Sequence, residues 1–177
     1  MIRIGCVFSV LLLVAGCKKL DEQKYREAGA EAVLPFKRGM KAALMAGLQE
    51  GPSSAIAACR VEAPKLAAEA STDGIRVGRT STKLRNPENA PKPWMVPILE
   101  GYEANPTERE PAVVKVDRKT VGYIEPIYVQ PLCVTCHGEA IAPELQATID
   151  SLYPDDQATG YAPGDLRGVF WVELPRR

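Results

Sequence analysis

Two textures divide this chain. In residues 20–50, apolar side chains recur at helical spacing. Tyr25, Ala28, Ala32, Phe36, Met40, Leu44 and Leu48 form one stripe, which predicts a long first helix. Pro35 lies inside the pattern and has no N–H for the Glu31 carbonyl, so a kink is expected there. Gly51-Pro52 ends the helix, and Ser53 or Ser54 is placed to cap a second one through its side-chain oxygen. In that second helix Ile56, Cys59, Ala63 and Leu66 keep the three-and-four spacing, which turns Cys59 inward. Pro64 predicts a second kink and leaves the Arg60 carbonyl without its usual partner.

Beyond these helices the pattern shortens. Residues 74–81 read as a short strand. Residues 85–94 contain three prolines and two asparagines, which marks a loop with fixed turns. Residues 96–102 predict a short helix. Residues 111–130 hold two β-rich runs on either side of Arg118-Lys119-Thr120, a hairpin pattern. Leu145, Ile149 and Leu152 predict a helix over residues 142–153. A turn-rich loop follows, and residues 169–174 form a last strand. Helices first and then a small sheet, with no internal repeat, predict a single α+β domain.

The N-terminus reads as a targeting segment. A basic start at Arg3 precedes an apolar run from Ile4 to Ala15, too short to span a bilayer as a stable helix. Val14-Ala15-Gly16-Cys17 resembles the bacterial lipoprotein cleavage box. That resemblance implies a signal peptide over residues 1–16, lipid on Cys17 and a short tether over residues 17–22. Residues 23–177 then form the folded domain. The expected location is the periplasmic side of a membrane. Lys18, where an acidic residue would favour the inner membrane, tilts the expectation toward the outer one.

Charge narrows the partners. With 22 basic and 22 acidic residues, the chain carries no electrostatic footprint for nucleic acid. Export would place it in an oxidising compartment, where cysteines seldom stay idle. Cys6 would leave with the signal and Cys17 would be lipidated. That leaves Cys59, Cys133 and Cys136.

Cys133, Cys136 and His137 form C-x-x-C-H, the spacing of covalent c-type haem attachment. Two thiols three positions apart reach the two vinyl groups of one haem, and the next residue ligates the iron. Three alternatives use the same residues. A thioredoxin-like redox pair needs a βαβ setting that the pattern does not supply. A zinc site would need Cys59 as well, with adjacent Cys136 and His137 bent onto one ion. A Cys133–Cys136 disulfide would be short and strained. The expected cofactor is one covalent haem c.

His137 is the only histidine, so the sixth iron ligand is a different residue type. Cys59, Met40, Met45, Met95, a lysine, a tyrosine or no ligand remain open. Met40 and Met45 lie in the first helix, where a core role is the plainer reading. Met95, beside Trp94, is the best thioether candidate. Cys59 sits among Ala55, Ala57, Ala58 and Ala63, small residues that would let a flat macrocycle approach.

Four motifs narrow this. "CRVEAPKLA", "GRTSTKLRNPENAP", "CVTCHG" and "YPDDQATGYAPGDLRGVFWVEL" together resemble the PAS-like c-type haem domain family over about residues 20–175. The resemblance implies a small antiparallel sheet flanked by helices, with haem held between loops and a helix. It also implies that Cys59 supplies an axial thiolate opposite His137. Met95 stands where the family commonly has an acidic residue. Arg79, Arg85 and Arg167 are candidates for pairing with haem propionates, because a guanidinium matches a carboxylate in a forked geometry. The resulting expectation is a haem-based redox or gas sensor that signals through a separate protein. A membrane-tethered single-haem electron carrier is the alternative. An enzyme such as a peroxidase is not expected, since no distal histidine exists to move protons.

Overall fold

The computed structural model describes residues 20–177. The expected signal segment and Cys17 lie outside the described residues. Helix α1 spans Glu22–Gln49 and begins at Asp21, whose carboxylate accepts from the Lys24 amide at 3.1 Å. The helix continues through Pro35, which lies on its exposed side. Its buried line is Tyr25, Gly29, Val33, Phe36 and Met40. Gly29 and Val33 thus take the centre expected for Ala28 and Ala32. A Cβ on Gly29 would come within 2.3 Å of the Tyr123 ring, so glycine lets that ring lie against the helix.

Helix α2, Pro52–Ala70, turns back along α1. Gly47 meets Ala55 and Gly39 meets Leu66, so small residues bring the two helices close. The α2 cap differs from expectation. Gly51, at φ 116°, occupies the cap position and Pro52 opens the first turn, while the Ser53 hydroxyl reaches Thr148 at 3.1 Å instead. A proline at the first helical position forfeits no hydrogen bond, which makes a serine cap unnecessary.

Four strands form one antiparallel sheet in the order β1-β4-β3-β2. They are β1 (Arg76–Thr80), β2 (Ala112–Lys115), β3 (Thr120–Tyr128) and β4 (Leu166–Pro175). The predicted hairpin is β2–β3, and the last strand starts earlier than its apolar run. Side chains alternate between the two faces. Val77, Val121, Tyr123, Val172 and Leu174 meet α1 and α2. Ile124 and Val169 meet Met95, Leu99 and Tyr102 on the other face, beneath helix α3 (Val96–Ala104). There Gly122 lies under the Trp94 ring and Gly78 under Trp171. The Trp94 indole donates to Glu173 at 3.0 Å, so its polar edge is satisfied. Among the described residues no helix is long and apolar enough to cross a membrane.

The chain between β3 and β4 makes an excursion that leaves and returns at one point. Val129 donates to Asp165 at 2.9 Å and Gly164 donates to Val129 at 2.8 Å. Helix α4 (Val134–His137) and helix α5 (Pro143–Leu152) lie on this excursion. Leu145 and Ile149 of α5 pack on Ile56 of α2. The α+β, single-domain expectation holds, with the C-x-x-C-H segment carried on an excursion rooted in the sheet.

Candidate functional site

A cavity of about 330 Å³ opens where the C-terminal half of α1, helix α2, the end of β1 and the C-x-x-C-H turn meet. That volume lies within the range of small-molecule sites, roughly 300–1,000 Å³. Cys59, Cys133, Cys136, His137, Arg79, Arg85 and Arg167 all line it. Residues spread over more than a hundred positions of sequence therefore converge on one space.

The motif itself is one compact turn. Pro131–Cys133 forms a 3₁₀ turn that runs directly into α4. Gly138 closes it, donating to the Val134 carbonyl at 2.9 Å. A Cβ there would press that carbonyl at 2.6 Å, so glycine is required for the tight exit. Cys133 and Cys136 are half-buried free thiols on this turn. The sheet is antiparallel and α4 has four residues, so the parallel βαβ setting of a thioredoxin-like pair is missing. Among the described residues no three His, Cys, Asp or Glu side chains group closely enough to hold a metal ion.

His137 is held in a defined protonation state. Its Nδ1 lies 2.7 Å from the Ala158 carbonyl, an oxygen that only accepts, so Nδ1 carries the proton. Burial, with Arg167 and Arg85 nearby, lowers its pKa to about 3. The ring is therefore neutral at ordinary pH, with the Nε2 lone pair available as a ligand. The backbone fixes its position as well. Tyr161 donates to the His137 carbonyl at 2.9 Å and Gly160 donates to Gly138 at 3.0 Å.

Helix α2 brings Cys59 to the same cavity, as its inward spacing predicted. Burial pushes its thiol pKa up, while the Arg79 and Arg85 guanidiniums pull it down. Arg79 stands on β1 directly beside Phe170 of β4. Its guanidinium makes no hydrogen bond or ion pair among the described residues, and burial lowers its pKa. Arg167 donates weakly to the Lys83 carbonyl at 3.3 Å and lies over the Tyr161 ring; burial lowers its pKa to about 10. Arg85 differs from both. Its Nη2 donates to the Cys136 carbonyl at 2.6 Å and to Asp156 at 3.0 Å, leaving Nε buried without a partner.

The methionines separate cleanly. Met95 is fully buried on the opposite face of the sheet and lies away from the cavity. Its adjacency to Trp94 reflects that second core, which corrects its place as the best thioether candidate. Met40 lines the cavity wall, and Met45 is exposed. Several lining residues escaped sequence reasoning: Lys37, Lys83, Ile127, Tyr153 and Phe170. Phe170 and Arg79 are cross-strand partners, a relation that only strand register reveals.

These residues suit a c-type haem. Two thiols and an imidazole stand on one turn, and a further thiol comes from α2. The cavity lining carries six cationic side chains and no carboxylate, in a chain of net charge zero. Such a lining favours an anionic group, and forked guanidiniums match propionates.

The comparisons with known proteins agree on the fold. None of the curated proteins matches the sequence. The structure is similar to the crystal structure of the cyanobacterial heme-protein Tll0287, with TM-score 0.61 and 24% identity. That match covers 89% of this chain and 98% of the other. A family model, Tll0287-like, matches residues 20–175, nearly the whole described chain. The protein belongs to the Tll0287-like family.

Proposed function

We propose that this chain is a c-type haem protein acting in redox or gas sensing. In this reading Cys133 and Cys136 would carry one haem through thioethers, and His137 and Cys59 would ligate its iron. One observation carries it. The turn that holds both thiols also presents His137 with Nδ1 occupied and Nε2 available, at the cavity that Cys59 lines. The relative's description as a heme-protein supports haem binding.

Bound haem would supply an iron that exchanges one electron, and a thiolate ligand favours its oxidised state. The chain's own residues set the terms. Arg79 and Arg85 favour the Cys59 thiolate against the burial that disfavours it. Arg79 and Arg167 have guanidiniums open to propionates, while Arg85 has its Nη2 held by the Cys136 carbonyl and Asp156. We read the role as non-catalytic, since His137 is the sole histidine for proton movement. Lipid on Cys17 would hold the domain at the periplasmic face of a membrane, where a separate redox or signalling protein receives the output.

A tethered electron carrier is the second reading. Leu132, half exposed beside Cys133, favours it by leaving that side of the site open to a partner. Ferric and ferrous absorption spectra of the matured protein separate the two. A sensor should lose Cys59 from the iron on reduction and then bind CO, whereas a carrier should keep its ligands and exchange electrons fast. Cys59→Ala should turn a low-spin ferric spectrum high-spin or water-ligated. An unchanged spectrum would refute the His/Cys assignment.

A further inference from the structure

We propose that Arg85 and Asp156 form a charged clasp that positions His137. This deepens the haem reading, and its functional consequence rests on that reading. Four bonds connect the clasp to the ring. Arg85 Nη2 donates to the Cys136 carbonyl at 2.6 Å and to Asp156 Oδ2 at 3.0 Å. Asp156 Oδ1 accepts from the Ala158 amide at 2.9 Å. The Ala158 carbonyl accepts from His137 Nδ1 at 2.7 Å. One guanidinium nitrogen thus ties the motif turn to the loop that supplies the imidazole's partner.

The placement favours a positioning role over a surface ornament. The side chains of Arg85 and Asp156 are only 13% and 5% exposed. A buried pair is weak evidence for stability, because desolvation offsets its attraction, whereas registering two loops is the better-attested use. A second tie runs beside it, from the Gln157 amide to the Leu84 carbonyl at 2.8 Å. The loop over residues 153–158 is therefore fixed to the residues around Arg85 by side chain and backbone together. Partners beyond the first ligands commonly set the tautomer and orientation of a metal-binding histidine. Here the Ala158 carbonyl is the direct partner, and the clasp holds Ala158 in place. Arg85 and Asp156 are positioning residues.

The single histidine makes the test direct. Haem-loaded protein, labelled with ¹⁵N-histidine and reduced under CO so that the iron is diamagnetic, gives one imidazole to follow by NMR. The expected wild-type signal is a protonated Nδ1 that exchanges slowly with solvent. Asp156→Asn and Arg85→Gln should speed that exchange about tenfold, the size expected from losing one charge-assisted hydrogen bond that fixes the Ala158 loop. Arg85→Lys should restore most of the protection, because an ammonium can also donate to both oxygens. Lys65→Gln, on the exposed side of α2, should leave it unchanged.

Wild-type exchange in Asp156→Asn and Arg85→Gln proteins with normal haem content and normal melting would overturn the clasp. If Asp156→Asn does not fold, equal exchange in Arg85→Lys and Arg85→Gln would overturn it as well. Pyridine haemochrome on the wild type separates the two levels. Absence of covalent haem would defeat the haem reading, and the same labelled ring in the haem-free chain would still read the clasp.

Discussion

The two faces of one small sheet have opposite fates. Beneath α3, Met95, Leu99, Ile124 and Val169 close into a dry core, each at most 1% exposed. Beneath α1 and α2, packing begins the same way, with Val33, Phe36, Tyr123 and Val172. It then stops at the Arg79–Phe170 pair, where a cavity with a cationic lining opens. Arg79 shares a strand face with Val77, yet it has no carboxylate to neutralise it among the described residues. A fold that only needed stability would place an apolar residue there, since buried charge is costly without a partner. The difference teaches where to look for function: at the end of the core where burial and unmatched charge coincide.

The largest effect should come from emptying that end. Cys133→Ala with Cys136→Ala should abolish covalent haem, read by haem staining after denaturing electrophoresis, while the Met95 core stays folded. The converse change attacks the closed face. Met95→Ala should cost about 2–5 kcal/mol in urea unfolding, typical of a large-to-small core substitution, and leave the ferric spectrum unchanged. A spectral change there would return Met95 to the ligand question.

The haem-free chain should report the open face through pH. His137 is neutral when folded, with a pKa of about 3, whereas an unfolded histidine titrates near 6.5. Between those values the unfolded state binds more protons, so stability falls as pH drops through that window and is full above it. Replacing His137 with Asn should flatten that part of the urea-midpoint profile. The smallest effect is Arg167→Gln in the haem-loaded protein. Removing a cation from the cavity lining would favour the ferric state of a haem bound there, so the reduction midpoint should fall by tens of millivolts, with about 59 mV equal to tenfold for one electron. Redox titration checks the sign.

Local pattern made much of this molecule legible. The long first helix, the hairpin, the helix behind Leu145 and Ile149, and the last strand follow from apolar period, because burial of one face requires that period. Pro35 and Pro64, where kinks were expected, lie inside helices that run on through them. The α2 cap was misread because Gly51-Pro52 already supplies a helix start without a serine. Cys133, Cys136 and His137 were legible because their chemistry is local to one turn.

What the sequence by itself determined is therefore chemical type: two thiols and an imidazole spaced for haem, one histidine, and a Cys59 left without other employment. The tertiary structure alone decided proximity. It placed Met95 behind the sheet, set Arg79 beside Phe170 by strand register, and paired Arg85 with Asp156. The physical reason is that ligand type is a property of single residues and their near neighbours. Which distant side chains share a cavity depends on register and loop closure, and neither leaves a periodic mark along the chain.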